Sequence, residues 1–150
     1  MPTSGDIGAL VSVTYDIVAG DFVRAGEAAN KIKRLLQQLG LDPGIIRRAA
    51  IAAYEAEMNV VIHSHGGRVS VDITPDTIEI LCEDCGPGIP DIEKALQEGY
   101  STASEDVREM GFGAGMGLPN IRRSADEFTI ESTVGQGTWL QVRILHRAGE

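Results

Sequence analysis

A glutamate and an asparagine one helical turn apart are the first residues whose types and spacing suggest chemistry. Glu55 and Asn59 are four residues apart in a segment whose apolar residues recur at helical spacing, so their side chains share one face of a helix. Both lie at the edge of the apolar arc, with Asn59 nearer its centre. A carboxylate and an amide placed there can reach into a cleft, although the pair taken alone fits a solvated helix rim better.

An aspartate at the end of a strand is the second candidate. Asp84 shares its parity with the apolar strand residues Ile78, Ile80 and Cys82. Its carboxylate therefore points inward, where a buried charge needs a hydrogen-bond donor. Gly86-Pro87-Gly88 follows and lets the backbone approach a ligand closely. The alternative is an aspartate that only begins a turn.

A run of glycines is the strongest local signal. Residues 111–118 alternate four glycines with other residues directly before a predicted helix, which has Pro119 in its first turn. The N–H groups of such a loop and of a helix N-terminus form an anion site that suits phosphates. The segment lacks the Lys and Ser/Thr of a P-loop, and it does not open an early βαβ unit. A plain flexible loop is the weaker alternative.

A threonine after a second glycine turn completes the set of polar candidates. Thr138 follows Gly135-Gln136-Gly137 and shares its parity with Leu140, Val142 and Ile144. An inward aspartate and an inward threonine at the ends of two strands can together recognise the polar edge of a planar ligand. The alternative is that Thr138 is only the first strand residue after a hairpin turn.

The two cysteines, Cys82 and Cys85, form a C-x-x-C pair. A zinc site would need two more ligands, for which His63 and His65 are candidates, and a redox pair would require a helix N-terminus. Because the pair follows a strand and precedes a glycine turn, we interpret Cys82 as half-buried and Cys85 as incidental.

Periodicity and punctuation predict the elements that must position these residues. Strands are predicted at 9–18, 68–73, 77–84, 127–133 and 138–145, and helices at 21–39, 42–64, 91–98 and 117–125. Residues 99–116, polar and rich in glycine, are predicted to form a flexible loop. Strands that come in adjacent antiparallel pairs, with helices between the pairs, predict an α+β two-layer sandwich.

Composition limits the function classes. The 150 residues, 43% of them hydrophobic, suit a single domain over 1–150. The formal net charge of −9 disfavours nucleic acid and anionic lipid as partners. No apolar run is long enough to span a bilayer, and the N-terminal MPTSGDIGAL lacks the features of a signal peptide. We therefore expect a cytoplasmic protein.

The order of the four motifs resembles that of the GHKL (HATPase_c) ATPase and kinase family. E-x-x-x-N on a helix, D-x-G-x-G after a strand, a G-x-G-x-G loop opening a helix, and G-x-G-T in a hairpin cover roughly residues 45–145. The resemblance implies a Bergerat-type fold, with a mixed, mostly antiparallel sheet and helices on one face. It also implies ATP and Mg²⁺ as cofactors.

The same resemblance implies a role for each matching residue. Asn59 would coordinate Mg²⁺ between the phosphates, and Glu55 would be the catalytic base or would orient the attacking group. Asp84 would accept a hydrogen bond from the adenine amino group, directly and through water with Thr138. Residues 99–116 would be the ATP lid. The remaining nucleotide contacts would come from Gly86, Gly88, Gly113, Ala114, Gly115, Met116, Gly117 and Leu118.

Size and histidine content narrow the comparison within the family. Topoisomerase and repair ATPases need a second domain, and a histidine kinase needs a phosphoacceptor His on a helical hairpin, whereas the first helix here carries none. The chain resembles stand-alone bacterial anti-sigma and switch serine kinases of the RsbW, SpoIIAB and RsbT type. Residues 117–123 with Asp126-Glu127-Phe128 are most similar to the RsbT-like kinases, whereas residues 60–67 and the cysteine pair depart from the pattern.

This resemblance implies a serine/threonine kinase of a partner-switching pathway that phosphorylates a STAS-domain protein. A sigma factor or a phosphatase stays open as a further partner, as does a homodimer. Two alternatives remain: a nucleotide-gated binding protein with little phosphoryl transfer, and a histidine-kinase-like catalytic domain acting in trans. Glu55 favours chemistry, because a pure binding protein needs no base there.

Overall fold

The computed structural model describes residues 11–97 and 117–146. The strands are β1 (Val11–Ile17), β2 (Gly67–Ile73), β3 (Thr77–Cys85), β4 (Glu127–Thr133) and β5 (Gly137–Leu145). The helices are α1 (Glu27–Gln38), α2 (Pro43–His63), α3 (Ile92–Ala95) and α4 (Gly117–Ser124). No helix in these two ranges is long and apolar enough to cross a bilayer.

The strands form one five-stranded sheet in the order β1-β2-β3-β5-β4, and every pairing in it is antiparallel. Strand residues of one parity are buried, as in Ile78, Ile80 and Cys82 of β3, so one face of the sheet forms the core. Helix α2 packs on that face, and both α1 and α4 pack against α2. The predicted α+β two-layer sandwich is confirmed.

Helix α2 lies closest to the sheet, and its sequence explains both its position and its bounds. Its buried face carries four alanines with no exposed surface, Ala49, Ala52, Ala53 and Ala56. These small side chains let the helix axis approach the strands closely. Asp42 caps the helix by accepting from the N–H groups of Gly44 at 2.9 Å and Ile45 at 3.4 Å, with Pro43 in the first turn.

The predicted start of the first helix at Asp21 is wrong, because α1 begins six residues later at Glu27. Asp21 interacts locally with Arg24, accepting a hydrogen bond from its backbone N at 3.2 Å and lying 3.9 Å from its Nε, and Gly26 has a φ of 98°, which is left-handed. The first amides of α1 are instead bonded to Glu57 of α2, whose carboxylate accepts from the N–H groups of Gly26, Ala28 and Ala29 at 3.0–3.3 Å. A residue 30 positions away in sequence therefore sets the start of α1.

The cysteines occupy different environments. Cys82 is buried, not half-buried as expected, and its thiol contacts the carbonyl of Ala56 at 3.7 Å. Burial raises the pKa of the Cys82 thiol well above its usual range, so it stays protonated and unreactive. Cys85 is exposed, and both cysteines are free thiols.

Candidate functional site

The start of α4 lies directly against the two candidate residues of α2. A Cβ placed on Gly117 would be 3.2 Å from Asn59 Oδ1 and 3.8 Å from Glu55 Oε1. Both α2 side chains are half-buried. The structure therefore brings together Glu55, Asn59 and the N-terminus of a helix, and a side chain at position 117 would crowd the amide of Asn59.

A residue that the sequence analysis missed fixes the orientation of Glu55. Asn120 donates from Nδ2 to Glu55 Oε2 at 2.8 Å, and Arg123 donates to Asn120 Oδ1 at 2.9 Å. A carboxylate can only accept and a guanidinium can only donate, so these two contacts set which end of the Asn120 amide faces Glu55. The one signal in the sequence is spacing, because Asn120 lies three residues after Gly117 and so shares its helix face.

The other end of α4 is anchored to α2 as well. Arg48 donates from Nε to the carbonyl of Ser124 at 3.0 Å and pairs with Asp126 at 3.1 Å. Asp126 also accepts from the backbone N–H of Leu145 at 2.7 Å. The Leu145 N–H has the largest effect and lowers the pKa of Asp126; burial, the next largest, opposes it, and the hydrogen bond and charge of Arg48 lower the pKa further. These bonds attach α4 to the sheet at one end while its N-terminus faces Asn59.

The second half of the site is built by two adjacent strands. Asp84 and Thr138 are direct cross-strand partners of β3 and β5, and Thr138 N donates to Asp84 Oδ1 at 3.1 Å. Burial raises the pKa of Asp84, and the Thr138 N–H and the nearby His65 oppose that rise. Within the described residues, Asp84 Oδ2 accepts no hydrogen bond, so this oxygen is the one left to meet a ligand.

Ser132 of β4, which the sequence analysis also missed, links this pair to the glycine turn after β3. It is the cross-strand partner of Thr138, and the two hydroxyl oxygens are 2.9 Å apart. Ser132 Oγ also accepts from Ile89 N at 2.7 Å and lies 3.0 Å from the carbonyl oxygen of Gly137. The segment that follows Gly86-Pro87-Gly88 is therefore attached to β4 through one hydroxyl.

The two glycines of this turn are required by the protein's own packing. A Cβ on Gly86 would lie 3.0 Å from Ser64 Cα, and one on Gly88 would lie 2.5 Å from the carbonyl oxygen of Thr133. Gly88 also has a φ of 77°, which favours glycine. The sequence predicted that these glycines let the backbone approach a ligand closely. On the side where a Cβ would project, what lies close to them is instead the protein's own backbone.

Several predicted contacts fall in the part of the chain for which no structure is described. Gly113, Ala114, Gly115, Met116 and the rest of the predicted lid, 99–116, lie outside the described residues. Gly117 and Leu118 begin α4, and the Leu118 side chain is buried in the core. Leu118 can therefore offer a ligand only its backbone.

Comparisons with known proteins by sequence found a family and individual relatives. A sequence model described as the histidine kinase-like ATPase domain matches residues 19–144. The serine/threonine-protein kinase RsbT of Bacillus subtilis is 33% identical over 119 residues, which cover 76% of this chain and 84% of that protein. An anti-sigma F factor of Thermoanaerobacter sp. is 37% identical over 109 residues, covering 68% of this chain and 73% of that protein.

Similarity of fold extends to a more distant protein. A chain in the crystal structure of the SiaB-SiaC complex from Pseudomonas aeruginosa superposes with a TM-score of 0.56, covering 91% of this chain and 89% of that chain. Because the two sequences are only 13% identical, this likeness concerns the fold alone.

Proposed function

We propose a function on the premise that this chain belongs to the histidine kinase-like ATPase domain family, as the GHKL motifs indicated. The proposed function is ATP-dependent phosphorylation of a serine or threonine on a STAS-domain partner in a partner-switching pathway. The observation that supports it best is the position of Gly117 at the start of α4, where a Cβ would lie 3.2 Å from Asn59 Oδ1 and 3.8 Å from Glu55 Oε1. Phosphates bound at that helix N-terminus would lie beside a carboxylate and an amide.

Some residues of the site would bind the nucleotide and its metal ion, and others would act in phosphoryl transfer. The amide oxygen of Asn59 suits a Mg²⁺ ion that keeps most of its ligands as phosphate and water. Asp84, with Thr138, would accept from the adenine amino group. ATP supplies the terminal phosphoryl group, which is activated by its bond to the departing ADP.

Glu55 would act on the incoming hydroxyl group. Its Oε2 is occupied by Asn120, so Oε1, the oxygen nearer Gly117, would accept the proton. The acceptor oxygen forms a bond to the terminal phosphorus as the bond from that phosphorus to the ADP oxygen breaks. The serine or threonine proton moves to Glu55, and the negative charge remains on ADP.

The protein class of the relatives supports a second candidate. One relative named anti-sigma F factor is 37% identical over 109 residues, and binding of a partner under the control of ATP is compatible with the same site. In that case Glu55 would contact the phosphates without proton transfer.

One experiment separates these candidates. The purified chain is incubated with ATP labelled at the terminal phosphate and with a STAS-domain protein encoded beside its gene, and Glu55→Gln serves as the matched variant. We expect label on a serine or threonine of the partner, and a single-turnover rate about 10²- to 10⁴-fold lower in the variant, with ATP affinity kept or slightly raised. ATP-dependent association without transfer in either protein would instead favour the binding candidate.

A further inference from the structure

The hydroxyl of Ser132 has three partners, and this number fixes where its proton lies. Its Oγ is 2.7 Å from Ile89 N, 3.0 Å from the carbonyl oxygen of Gly137 and 2.9 Å from Thr138 Oγ1. A backbone N–H can only donate and a carbonyl can only accept. A serine hydroxyl has one proton to donate and two lone pairs that accept.

Only one assignment of protons satisfies all three contacts. Ser132 donates its proton to the carbonyl of Gly137 and accepts from Ile89 N. Its second lone pair then accepts the proton of the Thr138 hydroxyl. If Ser132 donated to Thr138 instead, the short contact with the Gly137 carbonyl would hold no hydrogen bond.

This assignment determines what Thr138 can offer to a ligand. With its proton bonded to Ser132, Thr138 Oγ1 has only lone pairs left. Thr138 shares its sheet face with Asp84, whose carboxylate is also an acceptor and whose Oδ1 is held by Thr138 N. The polar edge made by the two side chains therefore presents acceptors and no donor.

We propose that Ser132 is a specificity-determining residue: by taking the Thr138 hydroxyl proton, it makes this edge select the 6-amino group of adenine over the 6-oxo group of guanine. The inference rests on the proposed nucleotide site at Asp84. A 6-oxo group facing this edge meets only acceptors, and such a mismatch is poorly tolerated. Without Ser132, the Thr138 hydroxyl is free to rotate and to donate to the 6-oxo group.

Loss of Ser132 also releases Ile89 and so loosens the turn at residues 86–88, which would weaken binding of both nucleotides alike. The informative quantity is therefore the ratio of the GTP dissociation constant to the ATP dissociation constant, which a general loosening does not change. Ser132→Thr keeps the hydroxyl and serves as the conservative rescue. Ser132→Cys keeps the connectivity of the side chain but replaces the hydroxyl with a larger, much weaker acceptor, and it serves as a second disruptive variant if Ser132→Ala does not fold.

The experiment is calorimetric titration of the whole chain and these variants with Mg-ATP and Mg-GTP. We expect the ratio to fall on the order of tenfold in Ser132→Ala and Ser132→Cys, and to return to the wild-type value in Ser132→Thr. In a Thr138→Val background, which has no hydroxyl to rotate, Ser132→Ala should leave the ratio unchanged.

Two other results have separate meanings. A wild-type chain that prefers ATP, with the same ratio in Ser132→Ala and Ser132→Cys, overturns this inference and leaves the proposed function standing. A wild-type chain that binds neither nucleotide overturns the proposed function and this inference with it.

Discussion

Asn120 of α4 donates a hydrogen bond of 2.8 Å to Glu55 Oε2 of α2. The helix that carries Asn120 begins at Gly117, which lies beside Asn59 and where we propose that phosphates bind. A shift of α4 on nucleotide binding would therefore be transmitted to the Glu55 carboxylate through one side-chain bond. Arg123, which donates to the carbonyl oxygen of Asn120 at 2.9 Å, holds the amide in the orientation that this requires.

Asn120→Ala should slow phosphoryl transfer without weakening nucleotide binding. The carboxylate of Glu55 would lose a charge-assisted hydrogen bond and would sample orientations that do not face the acceptor hydroxyl. We expect a drop of about tenfold in the single-turnover rate, with an unchanged ATP dissociation constant. Arg122→Ala, an exposed change on the same helix, is the matched control, and equal rates in both variants would show that Asn120 does not position Glu55.

Asn59→Ala should weaken Mg-ATP binding by at least about tenfold, because an alanine removes the side-chain amide oxygen that lies against the start of α4. The measurement is calorimetric titration with ATP in Mg²⁺ and again in excess chelator. The two proteins should differ in Mg²⁺ and converge in chelator. Asn30→Ala, the same change at an exposed position of α1, controls for general effects. If Asn59→Ala keeps the wild-type dependence of ATP affinity on Mg²⁺, Asn59 does not belong to the metal site.

Local patterns were enough to predict the parts of the site that depend on periodicity. Asp42-Pro43 marks the start of α2, and strand parity placed Asp84 and Thr138 on one face, where they are direct cross-strand partners. These features follow from residues close in sequence and from the two-residue repeat of a strand. The register between β3 and β5 could be determined only from the structure.

Such local patterns do not predict contacts between residues that are far apart in sequence. Asn120 meets Glu55 across 65 positions and Ile89 meets Ser132 across 43, so neither bond leaves a local signal. The start of α1 was wrong for the same reason. Asp21 looked like a cap by type, whereas the true acceptor of the first amides is Glu57.

Glu57→Ala should destabilise the fold more than any change at an exposed acidic residue. Glu57 is only 2% exposed, and its carboxylate accepts from three backbone N–H groups at the start of α1. Alanine would leave these donors without their partner, at a cost of roughly 2–4 kcal/mol in the free energy of unfolding. Denaturant unfolding measures this, and Glu57→Gln, which retains one acceptor oxygen, should fall between alanine and wild type.

The control for this prediction is Glu27→Ala, an exposed acidic residue in the first turn of the same helix. It should change the unfolding free energy by no more than about 0.5 kcal/mol. Equal effects of Glu27→Ala and Glu57→Ala would mean that the amides of α1 find water or another acceptor, so that the start of the helix does not depend on Glu57.

Asp84→Asn should separate nucleotide binding from stability, losing the first while keeping or increasing the second. Burial raises the pKa of Asp84 above 3.8 in the folded protein, so the folded state disfavours the ionised form more than the unfolded state does. The contribution of this group to stability therefore decreases as pH rises from 3.8 through the raised pKa, and the penalty persists at pH 7. Asparagine removes the charge yet retains a carbonyl oxygen for Thr138 N.

Denaturant unfolding at pH 7 should accordingly find Asp84→Asn at least as stable as wild type, and any gain should shrink as pH is lowered towards 3.8. At pH 7 the variant should bind ATP much more weakly, because the oxygen that would accept from the adenine amino group becomes a donor or is lost to Thr138. Glu83→Gln, next to it in β3 but on the opposite sheet face, should leave ATP binding unchanged. If Asp84→Asn is clearly less stable than the wild type at pH 7, the Asp84 charge supports the fold. Retained stability with lost affinity would mean that the half-buried Asp84 carboxylate, although unfavourable for folding, is kept for the ligand from which it accepts a hydrogen bond.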